Sequence, residues 1–279
     1  MKHPAIFCYL QETLKLIQMN HFDFPEARSI VVVGDIHGDF NKLIHKCCLR
    51  YRLKDTLIVV AGDCGVGFER PGYYDYVYER NRKYLSNMNC WLVMVRGNHD
   101  NPAYFKGSHR LRHERFMTVP DYAVLTACGH VVLCVGGAVS VDRVLRMNSP
   151  FYHAAEPSDP LERNVYWKDE VPVFDEAALD EIGMVYEIDT VITHTAPLVC
   201  DRIVQMGLYS FSVDDDRLLA DVEEERTTLE RLRCYLLEHG HPLQRWYYGH
   251  FHQSWHYEMD GVLYNMLDVM EFVELTEGA

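Results

Sequence analysis

An α/β fold of two mixed β-sheets packed face to face, with helices outside, is predicted by three observations. Short β-branched runs recur along the chain, helical segments separate the first three of them, and each of these three ends in a glycine-containing polar turn. Strand, helix, strand, helix, strand is the order of a parallel sheet with crossover helices. Later runs that pair as hairpins supply the second sheet. At 279 residues and 48% hydrophobic content the chain is long and apolar enough for a sizeable core. It lacks repeats and low-complexity stretches, so residues 1–279 are read as a single domain with its chemistry between 30 and 255.

Leu10, Leu14, Leu16 and Ile17 place an amphipathic helix over Cys8–Met19. Ile30-Val31-Val32-Val33 reads as a strand covered on both faces, and Gly34-Asp35-Ile36-His37-Gly38 follows it. Leu43, Ile44, Cys47 and Cys48 then continue as a helix, with Asp39 at its cap. Thr56–Ala61 is a second strand, ending at Gly62-Asp63, and Tyr73–Met88 is a helix. Trp91–Val95 is a third strand, ending at Arg96-Gly97-Asn98-His99-Asp100. Tyr122–Leu125 and His130–Val135 pair around Cys128-Gly129. Ser140–Val173 is a long loop with some helix, carrying Arg143, Arg146, His153 and Trp167. Phe174–Ile182 is helical, Thr190–Thr193 is a strand ending at His194, and Asp214–His239 is a long helix. The charges of that helix read as a solvated face. Trp246–Tyr248, ending at Gly249-His250-Phe251-His252, and Trp255–Leu267 complete the second sheet.

The net charge of −14 opposes an extended nucleic-acid surface, which needs a basic face. Nine cysteines without a C-x-x-C pair give neither a zinc-finger nor a disulfide framework, which suits a reducing cytoplasm. No stretch is long and apolar enough for a membrane span. Gly62-x-x-Gly65-x-Gly67 is not the dinucleotide fingerprint, and no Walker-type Gly-Lys-Ser/Thr occurs.

The candidate ligands are Asp35, His37, Asp63, Asn98, His194, His250 and His252. Each has an ordinary alternative: Asp63 as a turn residue, Asn98 as a helix cap, His194 as a satisfied core histidine. Their joint placement just after strands decides between the readings. In a parallel sheet such ends converge on one edge, and seven oxygen and nitrogen donors suit two divalent ions better than one.

Gly-Asp-Ile-His-Gly, Gly-Asp-Cys-Gly, Gly-Asn-His-Asp, a later lone histidine and Gly-His-Phe-His resemble, in order, the five motifs of the calcineurin-like metallophosphoesterases. The resemblance implies a four-layer αββα sandwich with a dinuclear centre. It implies that Asp35, His37 and His252 hold the first ion, that Asn98, His194 and His250 hold the second, and that Asp63 bridges them. It makes His99 the catalytic histidine, with Asp100 orienting its ring. Two ions of that kind clamp a phosphoryl oxygen and lower the pKa of a water for in-line attack. Mn²⁺ is the first expectation for the metal, with Fe, Zn²⁺, Co²⁺ or Ni²⁺ compatible with the same donors. Arg96 is the first substrate-binding candidate because a guanidinium holds phosphate bidentately, and Arg143 is the second. Arg146 and His153 are further candidates for the pocket lining.

The second motif departs from the protein Ser/Thr phosphatase branch, where Asp-Arg-Gly follows Gly-Asp; here the chain reads Gly62-Asp63-Cys64-Gly65. Gly136–Arg143 and Tyr166–Glu170 instead resemble small bacterial and phage members of the family. The expected activity is hydrolysis of a small phosphate mono- or diester, with a phosphoprotein or nucleotide as possible carriers of the phosphate. A nuclease or cyclic-nucleotide phosphodiesterase of the same family is the alternative. An inactive binding scaffold fits less well, because every ligand and His99 are retained.

Overall fold

The structure is a computed structural model that describes residues 20–154, 158–200 and 208–275. The helix expected over Cys8–Met19 lies outside them. The strands are β1 (His21–Asp23), β2 (Ser29–Val33), β3 (Thr56–Val60), β4 (Trp91–Met94), β5 (Arg112–His113), β6 (Phe116–Thr118), β7 (Ala123–Ala127), β8 (His130–Val135), β9 (Thr190–Thr193), β10 (Arg245–Tyr248), β11 (Trp255–Met259), β12 (Val262–Met266) and β13 (Phe272–Leu275). The helices are α1 (Phe40–His45), α2 (Tyr73–Met88), α3 (Arg143–Met147), α4 (Glu176–Gly183), α5 (Leu208–Phe211) and α6 (Leu218–Glu238). A wider π turn over Lys46–Arg50 prolongs α1.

Two mixed sheets result. One has the order β13-β2-β3-β4-β6-β5 and the other β1-β7-β8-β9-β10-β12-β11. In both, the central strands are parallel, and antiparallel partners lie toward the edges. Strand parity builds the layers, because successive side chains point to opposite faces. Ile30, Val32, Leu57, Val59 and Val93 meet Leu125, Val132, Cys134, Ile192 and Tyr247 between the sheets. Their neighbours Val31, Val33, Ile58, Val60 and Leu92 face outward against α1 and α2, in a core with Leu43, Tyr74, Val77 and Leu85. On the far side Leu133, Val191, Trp246 and Tyr248 pack against Leu179, Leu229, Leu232 and Leu236 of α4 and α6. The architecture is therefore helix, sheet, sheet, helix.

Several sequence expectations are corrected here. β1, β5, β6 and β13 are additional strands, short and at or near the sheet edges. β13 pairs antiparallel with β2, so the last described strand lies beside the first one of its sheet. Asp39 sits at the cap position of α1, but its side chain makes no cap bond; its carboxylate instead lies 3.6 Å from Lys42. The charges of α6 are not all solvated, because Glu225 and Arg226 are buried. No helix among the described residues is long and apolar enough to cross a membrane.

Candidate metal centre

Five parallel strands, β2, β3 and β4 from one sheet and β9 and β10 from the other, end on the same edge of the sandwich. The loops that leave them bring the candidate ligands together. Asp35 and His37 follow β2, Asp63 follows β3, Asn98 and His99 follow β4, His194 follows β9, and His250 and His252 follow β10. The local backbone is unusual. His37, Asp63, His250 and His252 all have left-handed φ, at 45°, 46°, 69° and 51°. Non-glycine residues rarely adopt this conformation, and such strain concentrates at functional sites. Two glycines make room for the carboxylates. A Cβ on Gly97 would overlap the backbone and carboxylate of Asp63, and one on Gly249 would overlap the Asp35 carboxylate. Only glycine lets these loops approach so closely.

The donor atoms form two groups joined through Asp63. In the first, His252 Nε2 is 3.1 Å from both Asp35 Oδ2 and His37 Nε2. Asp35 Oδ2 is buried without a hydrogen-bond partner. In the second, His194 Nε2 is 3.0 Å from Asp63 Oδ1 and 3.0 Å from Asn98 Oδ1. Asp63 Oδ2 reaches back to 3.9 Å from His37 Nδ1. The His250 ring packs edge-on against His194, with centroids 5.0 Å apart, and its backbone N–H donates to Asp35 Oδ1. Its ring nitrogens are not part of the tightest donor groups, which are Asp35–His37–His252, His37–Asp63–His99 and Asp35–Asp63–His194.

Electrostatics follow from burial and from these neighbours. Burial pushes the Asp63 carboxyl up, but the His194, His99 and His250 rings outweigh it and hold Asp63 well below the usual carboxylate range. Burial pulls His194 down, yet Asp63 opposite it carries the imidazole up to about 10. Burial, then His194, lower His250 to about 3. His99 is lowered to about 4 by burial and by Arg146, against the pull of Asp63. An imidazole with that value is neutral at pH 7.

A set of buried contacts stands behind the donors. Asn98 Nδ2 donates to Ser140 Oγ at 3.0 Å, and Ser140 Oγ lies 2.6 Å from Glu170 Oε2. That chain fixes the Asn98 amide so that its oxygen faces His194. The Ser140 N–H also donates to Glu170, and burial pushes the Glu170 carboxyl up to about 8. Glu225 of α6 accepts from the Thr195 hydroxyl at 2.9 Å and from the Val139 N–H, tying the loop after β9 to the one after β8.

Several predicted roles change. Asp100 does not touch the His99 ring. Its buried carboxylate accepts from the backbone N–H groups of Cys64, Val66 and Gly97, so it clamps two ligand loops together. Arg96 is buried, and its guanidinium donates to the Glu170, Gly136 and Val171 carbonyls and pairs with Asp121 at 2.9 Å. It has no face left for a phosphate. Arg143 is held by Asp215 and Asp221, at 2.6 and 2.7 Å. His153 lines a separate cavity with Trp167 and Lys106. The arginine at the donor cluster is Arg146. Its guanidinium donates to His99 Nε2, it reaches the Asn98 carbonyl at 3.4 Å, and Asp142 holds it at 2.7 Å.

Replacing Arg96 with alanine should therefore act on the fold. Truncation leaves the Glu170 and Gly136 carbonyls without their buried donor, and such unsatisfied groups cost about 1–3 kcal/mol each, so the stability from urea unfolding should fall by at least that much while KM stays within about twofold. A raised KM with unchanged stability would return Arg96 to substrate binding.

Sequence reasoning missed Glu170 and Glu225. For Glu225 a signal was present, since Val222, Glu225, Leu229, Leu232 and Leu236 share one helical stripe. Nothing in the spacing marks Glu170.

The calcineurin-like phosphoesterase profile matches residues 28–254, which runs from β2 through β10 and takes in all five ligand loops. The chain belongs to the calcineurin-like phosphoesterase family. No curated protein matches it. Among solved structures, TT1561 of Thermus thermophilus is 14% identical, with 88% of this chain and 90% of that one covered and a TM-score of 0.48. Phosphopantetheinyl hydrolase from Mycobacterium tuberculosis is 14% identical over 88% and 90%, with a TM-score of 0.43. A dimetal phosphatase from Danio rerio is 11% identical over 88% of each chain, with a TM-score of 0.43. As a calcineurin-like phosphoesterase, this protein is a metal-dependent hydrolase acting on phosphate esters.

Proposed function

We propose that this calcineurin-like phosphoesterase hydrolyses small phosphate monoesters with two divalent cations. Asp35, His37 and His252 would hold one, Asn98, His194 and His250 the other, and Asp63 both. The observation that carries this reading is the orphaned Asp35 Oδ2, buried beside a convergence of imidazole nitrogens that offers it no hydrogen bond. A buried carboxylate oxygen and several lone pairs aimed at one another fit a cation. The imidazoles in this mixed oxygen and nitrogen set suit first-row transition-metal ions, Mn²⁺ and Fe to Zn²⁺, better than Ca²⁺.

The bound ions supply Lewis acidity and a lowered pKa for water. The side chains supply the rest. Arg146 offers its guanidinium to a phosphate oxygen, which competes with His99 Nε2 for the same donor. Release of that nitrogen, together with the negative charge of the bound phosphate, raises the His99 pKa from its low value. His99 then delivers a proton to the departing ester oxygen. Asp100 keeps the His99 loop in register with the Asp63 loop. Glu170, through Ser140, holds the Asn98 oxygen toward the second group of donors.

The test compares p-nitrophenyl phosphate with its bis ester at defined Mn²⁺, with His99→Ala as control. Metal-dependent turnover of the monoester, with the bis ester slower, is expected. Turnover of neither ester with Mn²⁺, Fe²⁺, Zn²⁺, Co²⁺ or Ni²⁺ would sink the proposal.

A further inference from the structure

A cavity of about 340 Å³ opens beside His99, between the loops that follow β2 and β3. His37 and His99 form the wall it shares with the donor cluster, and Phe68, Tyr73, Asp39 and Glu69 lie around the remainder. Phe68 is built into place. The Trp167 indole meets it edge-on, with centroids 5.4 Å apart at 85°, and the His99 ring lies 5.8 Å away on another side. An aromatic ring is therefore held within one stacking distance of the residue that would meet the leaving oxygen.

The charge around this cavity is one-sided. Among the described residues no lysine or arginine lines it. The Asp39 carboxylate is shared with Lys42, but Glu69 makes no ion pair among the described residues. Arg146, the cation of the site, is not among its walls. The phosphate end is thus cationic and the adjoining space is aromatic with an acidic rim. A second phosphate or a carboxylate on the leaving group would sit beside Glu69 with no counter-charge. A flat ring would gain Phe68 and Tyr73 as partners. The volume is near the lower end of small-molecule pockets and suits one or two fused rings.

We infer that this cavity is the leaving-group subsite and that it selects phosphate monoesters of flat aromatic alcohols carrying no further anionic group. The inference rests on the phosphoesterase reading above. In the reaction the bond from phosphorus to the aryl oxygen breaks. Water supplies the new P–O bond, and one of its protons ends on the aryl oxygen, giving the phenol and inorganic phosphate.

Aryl esters are intrinsically more reactive than alkyl esters, so the test uses ratios compared between variants, in which that difference cancels. In Phe68→Ala, the ratio of kcat/KM for 2-naphthyl phosphate over glycerol 2-phosphate should fall about tenfold or more. In Glu69→Lys, an exposed position, the ratio for 4-carboxyphenyl phosphate over phenyl phosphate should rise about fivefold. If Phe68→Ala does not fold, Glu69→Lys carries the test alone. Both ratios staying within about twofold of wild type, while hydrolysis persists, would overturn the subsite and leave the phosphoesterase reading standing. Absence of turnover for every ester and metal would instead remove that reading, and the subsite with it.

Discussion

Replacing Asp63 with asparagine should lower kcat by about 10³-fold or more and strip the protein of bound metal. Its carboxylate faces both donor groups. One oxygen lies 3.0 Å from His194 Nε2 and accepts from the His99 N–H at 2.7 Å; the other lies 3.9 Å from both His37 Nδ1 and His99 Nε2. Asparagine keeps the shape and can still accept from the His99 amide, so the fold should survive. What it loses is the negative charge that would hold two cations near each other. A second readout follows from the same contact. His194 owes its raised pKa to Asp63 acting against burial, so in the metal-free variant its titration should drop below that of an ordinary histidine. Elemental analysis after gel filtration and histidine resonances followed against pH would check both. An asparagine variant with two metals per chain and near-normal turnover would remove Asp63 from the bridging position.

His99→Asn should leave the metal content intact and reduce kcat by about 10²–10⁴-fold. The loss should be larger for phenyl phosphate than for p-nitrophenyl phosphate, because the better leaving group needs less help from a proton donor. Equal losses on both would assign His99 to positioning. Stability has a matching signature. Burial and Arg146 hold the folded pKa near 4, below the 6.5 of an unperturbed histidine. Between those values the unfolded chain binds a proton that the folded one does not. The contribution of His99 to stability is therefore complete above about pH 6.5 and is lost as the pH falls toward 4. Urea unfolding of metal-free protein at pH 7 and pH 5 should show a smaller decline in His99→Asn than in the parent.

The β-branched runs reported the central strands well, because Ile30–Val33, Thr56–Val60 and Thr190–Thr193 are covered on both faces and leave no ambiguity of period. The edge strands were not legible. β5 has two residues and β1 three, too few for any period to show, and β13 owes its place to β2 far away in sequence. The donor residues were legible as a set because each follows a strand. The arginines were not. On paper Arg96, beside Gly-Asn-His-Asp, ranks ahead of Arg146 as a phosphate ligand, and tertiary contacts reverse that order. The guanidinium of Arg96 runs into a slot beside Gly137, where a Cβ would collide with it, and a Cβ on Gly136 would overlap the Arg96 backbone. Asp100 misled for a related reason: adjacency to His99 suggested a ring contact, whereas three backbone amides claim the carboxylate.

The seam where the loop after β2 meets the loops after β10 and before β13 has a kinetic consequence. His37 and His252 meet across 215 residues, and the Asp35 carbonyl accepts from Met270 N–H just before β13. Contacts of such sequence separation carry a loop-closure cost that local helices and neighbouring strands do not, so they are expected to form late in folding. Interactions absent from the transition state alter the unfolding rate and leave the folding rate nearly untouched. Cations bound across that seam would then act as a brake on unfolding. Loading would set how long each molecule persists once formed and would do little to how quickly it forms.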